Sequence, residues 1–202
     1  MTTRSSDLTD FEQQNRERLV RLLSAIPKNE APEGWQLTGV VAVGGLTEVG
    51  FSRHSELLLV ISHAGRCVID CSTGEKVARD YELDGDWYFP QKLYCVGIGP
   101  LANETISIAG LHGGGLPVFT TAGESLVLVS PNWPKSNVIF CPSYKTPLVD
   151  GHQVGCCCVG TSDTICAFGF SWSGNSFVVA TSSDVTIFKK NGSHTTVTED
   201  PV

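Results

Sequence analysis

The chain is 202 residues long, with a mass of 21.7 kDa, enough for one domain with a buried core. Apolar residues make up 41% and charged residues only 17%, which excludes a disordered polar chain and suits a turn-rich β protein. The net charge of −7 argues against a nucleic-acid or anionic-membrane surface and favours a basic partner.

Taken from the start, MTTRSSDLTDFEQQ lacks the apolar core of a secretory signal, and no stretch approaches the roughly 18 apolar residues of a membrane span. A cytoplasmic protein is expected. Residues 7–26 predict the one helix. Thr9 with Glu12 forms a capping box, each side chain satisfying a backbone amide left free at the helix start. Phe11, Leu19, Leu22, Leu23 and Ile26 share one face at helical spacing, with Arg16, Arg18 and Arg21 largely off it, so the apolar stripe should dock on the rest of the protein. Pro27 stops the helix, and residues 28–34 read as a linker. The expected organisation is an N-terminal helix and linker (1–33), a β-repeat domain (34–195) and a C-terminal tail (196–202).

The β domain opens with GWQLTGVVAVGG (34–45) as a first strand. Residues 51–75, FSRHSELLLVISHAGRCVIDCSTGE, then set a plan that returns in FSWSGNSFVVATSSDVTIFKKNG, residues 170–192. Phe51-Ser52 matches Phe170-Ser171, Leu58 matches Phe177, Val60 matches Val179, Ser62 matches Thr181, and Val68-Ile69 match Ile187-Phe188, all at one offset. Such a period marks a unit that cannot bury its apolar face alone. Between the copies, a further unit runs from Tyr94 through ETISIAG, the HGGG turn, LPVFTTAGE and SLVLVS, and residues 131–160 are less regular. The body therefore holds about four units of roughly 35–40 residues.

This pattern resembles the blades of β-propellers of the WD-repeat or quinoprotein type, closely over 49–80 and 168–192 and less so over 94–130. The Gly-His and Trp-Asp dipeptides of WD repeats and the tryptophan motif of quinoprotein blades are missing. The resemblance implies an all-β protein with one N-terminal helix, built as a small or incomplete propeller; a β-sandwich or barrel is the alternative.

Several residue groups invite a chemical reading. His63, Cys67 and Cys71 have metal-like spacing, but on a strand each step of four residues separates ligands by about 13 Å, too far for one zinc ion. His152 with Cys156, Cys157 and Cys158 suggests a cysteine nucleophile, yet the run is flanked by Val154 and Val159 and reads as buried strand. GFSWSG (169–174) has Ser173 where a hydrolase elbow needs glycine, and strand follows instead of helix. GIGPLA (97–102) has no helix to receive a pyrophosphate, and GLHGGGLP (110–117) reads as a hairpin turn rather than an anion cradle. No catalytic residue, metal ligand or cofactor is assigned. The eight cysteines read as small buried hydrophobes.

One segment stands out, RDYELDGDWYFPQKLY at 79–94, where acidic and aromatic residues interleave at a break between units. Asp80, Tyr81, Glu82, Asp84, Asp86, Trp87 and Tyr88 are the candidate partner-binding residues. Acidic side chains steer a basic partner, and Trp and Tyr supply contact energy at interface centres. The functional expectation is a non-catalytic protein-binding module, in concrete form an immunity or inhibitor protein neutralising a basic partner such as a toxin nuclease. A cysteine-dependent or metal-assisted hydrolase is the alternative.

Overall fold

The computed structural model describes residues 8–28, 31–83 and 85–192. Among these residues, helix α1 spans Asp10–Ser24 and fifteen strands follow. The first nine are β1 (Trp35–Ala42), β2 (Leu46–Phe51), β3 (Leu57–Ser62), β4 (Gly65–Asp70), β5 (Glu75–Asp80), β6 (Tyr88–Phe89), β7 (Tyr94–Val96), β8 (Thr105–Ser107) and β9 (Ala109–Gly110). The last six are β10 (Ser125–Asn132), β11 (Lys135–Cys141), β12 (Cys157–Ser162), β13 (Ile165–Phe170), β14 (Ser176–Thr181) and β15 (Asp184–Lys190). The protein is therefore mostly β with one helix, as the composition and turn pattern predict. No helix among the described residues is long and apolar enough to cross a membrane.

The strands form four antiparallel sheets, ordered β5-β4-β3-β2-β9, β6-β7-β8, β10-β11-β12 and β1-β15-β14-β13. The chain divides into two compact units, residues 1–32 with 118–165 and residues 33–117 with 166–202.

In the first unit the helix begins as the sequence predicts. Thr9 caps it and the Glu12 carboxylate accepts from the Thr9 amide at 2.8 Å. Only its C-terminal half docks: Leu23 and Ile26 join Val129, Ile139, Cys141, Cys156 and Cys158 in one apolar cluster. Burying each such side chain contributes about 1.5–3 kcal/mol. Phe11, expected on the docking stripe, is 78% exposed. Arginines expected off that stripe hold the helix instead, Arg16 donating to the Pro131 carbonyl and Arg18 to that of Leu148. Lys28 then forms a parallel bridge with Cys158, which keeps the helix end against β12.

The second unit contains the two sequence copies. Leu58, Val60, Cys67 and Ile69 face one apolar cluster and Leu59, Ile61 and Val68 another. That is the two-residue period of a strand, and it explains why LLLVIS reads as unbroken apolar sequence. Cluster one also takes Val178, Ala180, Val185 and Ile187 from the second copy. The copies have the same strand order, β2-β3-β4-β5 and β13-β14-β15-β1, but the second takes its fourth strand from the beginning of the chain. Trp35 of β1 is buried there, packed edge-on to Phe177 at 4.8 Å, while Phe177 stacks on Phe188 at 4.4 Å.

Residues 94–130 do not form one unit as expected. The structure divides them: β7 pairs with β6 and β8 with β7, β9 adds to β2, and residues 111–124 run as turns and extended chain with two isolated bridges, Gly110 to Gly113 and Phe119 to Ser125. Glycines and the missing alternation of apolar residues between 110 and 123 leave no regular strand to pair.

Candidate functional site

The candidate segment starts where β5 ends. The Asp80 carboxylate accepts from Arg66 Nε at 3.1 Å and Nη2 at 2.9 Å, and from the Glu82 amide at 3.0 Å. Its pKa falls below the ordinary carboxylate value, chiefly through the Glu82 amide and then through Arg66. Arg66 is itself buried, donates to the Val96 carbonyl at 2.7 Å and lies 4.4 Å over the Trp87 ring. Trp87 is 8% exposed and packs with Leu59, Ile61 and Cys95. Asp80 and Trp87 are therefore two anchors, joined through one guanidinium.

Between those anchors the described side chains face solvent. Tyr81 is 74% exposed, with Arg79 4.7 Å over its ring; Leu83 is 62% exposed, and Glu82 and Asp86 are exposed. Asp84 lies outside the described residues. The segment thus combines a fixed base with a projecting acidic and apolar surface.

Tyr88 turns to a different group. Its hydroxyl lies 3.0 Å from Nδ1 of His112, and the same nitrogen lies 2.6 Å from Oε1 of Glu48. Glu48 is fully buried in the middle of β2, while His112 has 47% of its side chain exposed. The turn at Leu111–His112 is closed by hydrogen bonds between Gly110 and Gly113, and the Leu111 amide donates to the Thr47 carbonyl. That bond sets the imidazole against Glu48. Gly114, which follows, has φ +80° and approaches the Ile108 carbonyl so closely that a Cβ would stand 2.2 Å from its oxygen. Because a carboxylate only accepts, its partner on His112 is Nδ1–H, which leaves Nε2 as the basic nitrogen. Burial, followed by hydrogen bonding to Glu48 and the charge of Glu48, raises the Tyr88 pKa well above its usual value.

Sequence reading missed Glu48 and His112. The available signal was an acidic residue inside the apolar strand LTEVGF, at the position where the second copy has Ala167.

The other groups are placed as follows. Cys67 and Cys71 are buried, and burial pushes both thiols up. His63 sits in the turn before β4. Among the described residues there is no cluster of three or more His, Cys, Asp or Glu side chains suited to a metal ion. Cys156, Cys157 and Cys158 are all buried, Cys156 and Cys158 on the face toward Leu23 and Ile26. Ser173 donates to Glu56 at 2.5 Å and is followed by strand β14. GIGPLA contains a single 3-10 turn at Gly99–Leu101. No protein-family model and no curated protein matches this chain.

Proposed function

We propose that the protein is a non-catalytic module that binds a basic protein partner in the cytoplasm, on a scaffold that is a small or incomplete β-propeller of the WD-repeat or quinoprotein type. Support for the scaffold comes from four antiparallel sheets, two of them identical in strand order and sequence plan, with the first strand completing the sheet of the last. The observation that carries the binding reading is the projection of Tyr81, Glu82, Leu83 and Asp86 from a base fixed by Asp80, Arg66 and Trp87. A rigid base reduces the ordering entropy that an interface must overcome. The acidic pair steers a cation in, and Tyr81 with Leu83 supplies contact area once water is excluded. With a net charge of −7, the concrete form is an immunity or inhibitor protein that covers the basic cleft of a toxin such as a nuclease.

The test is capture of partners from the native host, followed by binding kinetics. The double variant Glu82→Lys/Asp86→Lys should slow association with the captured basic protein on the order of tenfold at low salt. Tyr81→Ala should cost about 1–2 kcal/mol of affinity. Unchanged binding in both would remove this segment from the interface.

A hydrolase is the second reading, and the observation favouring it is the Glu48–His112 pair. A buried carboxylate that holds Nδ1 of a half-exposed imidazole is the arrangement of a general base. Hydrolysis of activated esters that is lost in His112→Ala would support it; rates equal to buffer would end it.

A further inference from the structure

We infer that Cys141 and Cys156 form a peroxide-responsive dithiol pair, poised to close into a disulfide in the native fold. The argument rests on strand register. In the first unit, β11 and β12 pair Ile139 with Cys158 and Phe140 with Cys157, and the register continued one residue past the start of β12 sets Cys156 opposite Cys141. The pairing also fixes which kind of pair it is. The Cys158 amide donates to the Pro27 carbonyl, away from β11. Backbone groups alternate sides along a strand, so Cys158–Ile139 is a non-hydrogen-bonded pair, Cys157–Phe140 a hydrogen-bonded one, and Cys156–Cys141 again non-hydrogen-bonded. That kind brings opposite α-carbons to about 4.5 Å, at the near end of the range of about 4.4–6.8 Å over which a disulfide closes. Both side chains face the cluster of Leu23, Ile26 and Val129.

The neighbours do not compete. Cys158 stands opposite Ile139, diagonal to Cys141, and its thiol faces the Gly160 carbonyl and Thr161 hydroxyl. Cys157 belongs to the opposite face of the strand.

Chemistry divides the two thiols. The Cys141 thiol faces the Ile139 carbonyl and the Cys156 thiol the His152 carbonyl; the contact between the two thiols lowers the Cys156 pKa against the opposing effect of burial, with help from Lys145, and the same contact together with burial raises Cys141. In the proposed sequence Cys156, which lies just outside β12, is the attacking sulfur. It breaks the O–O bond of hydrogen peroxide, forms an S–O bond and becomes a sulfenic acid, with hydroxide leaving and taking up a proton as water. Cys141 sulfur then attacks the sulfenic sulfur, the S–O bond breaks, and the leaving hydroxide takes the Cys141 proton. Two thiols and one peroxide give one disulfide and two waters. The bond would close the connection of residues 142–155 into a loop.

The experiment is stoichiometric hydrogen peroxide on the full-length native protein. Remaining thiols are then alkylated in denaturant and peptides mapped without reduction. The expected result is six alkylated cysteines, one Cys141–Cys156 cross-linked peptide, recovery of eight alkylations after dithiothreitol, and a raised melting temperature. Cys141→Ser should leave Cys156 as a sulfenic acid that reacts with dimedone, while Cys158→Ser should still cross-link. Eight alkylated cysteines after peroxide, a Cys156–Cys158 bond, or loss of cross-linking in Cys158→Ser as complete as in Cys141→Ser would each overturn the assignment.

Discussion

The two copies of the repeat share a strand order and differ in what completes it and what sits at its inner strand. In β2–β5 the fourth strand follows directly in sequence and is half exposed, with Val77 46% exposed. In β13–β15 the fourth strand is β1, and it brings a buried Trp35 onto Phe177 and Phe170. At the inner strand the first copy has buried Glu48 where the second has Ala167. The repeated four-stranded arrangement therefore needs the shared apolar positions and the strand order. It needs neither an aromatic fourth strand nor an acidic inner one, and each departure has its own cause. One joins distant parts of the chain, and the other holds His112 and Tyr88.

The largest effect should come from the joining strand. Trp35→Ala should cost about 3–5 kcal/mol, against about 0.5 kcal/mol or less for Val77→Ala in the corresponding strand, both read by denaturant unfolding. Similar costs would mean that β1 and β5 are equivalent in energy as well as in position. Next are Gly50 and Gly169, which match in the repeat. A Cβ on Gly50 would stand 2.3 Å from the Ser107 carbonyl oxygen, and one on Gly169 would stand 2.3 Å from Leu116 Cβ. Alanine at either site should cost about 1–3 kcal/mol or more. A tolerated substitution at one of them would break the equivalence at that strand.

Glu48→Ala writes the residue of the second copy into the first. Because the His112 side chain is 47% exposed, it can return to water once Glu48 is gone and no buried charge is stranded, so the change in stability should be about 1 kcal/mol or less. The substitution should also lower the Tyr88 pKa toward the ordinary tyrosine value of about 10, measured by ultraviolet titration. A large loss of stability would make Glu48 part of the sheet's own packing and not of a site built on it.

The smallest effect concerns pH. The native Asp80 pKa is depressed, so Asp80 contributes stability above its unfolded value of about 3.9, and that contribution is lost as pH falls through the lower native value. Asp80→Asn should therefore flatten the acid limb of the stability curve; an unchanged limb would mean that the Arg66 contact adds nothing in solution.

The helix cap, the β class and the internal repeat were legible in the sequence because they depend on neighbouring residues: Thr9 with Glu12, the two-residue alternation through Leu58–Ile61, and glycines at turns. The same holds for the division of Cys157 from Cys156 and Cys158, which follows from strand geometry alone. Long-range pairing decided the rest. No local pattern tells Trp35 to pair with Lys190 and not with the next strand, sends Ala109 to β2, or brings His112 to Glu48. Nor does composition show which members of an acidic and aromatic run face inward. Arg66, fourteen residues before Asp80, selects Asp80 and Trp87 and leaves Tyr81, Glu82, Leu83 and Asp86 in water. Local propensity depends on residues adjacent in the chain, whereas burial and ion pairing depend on which distant segments the packed sheets bring together.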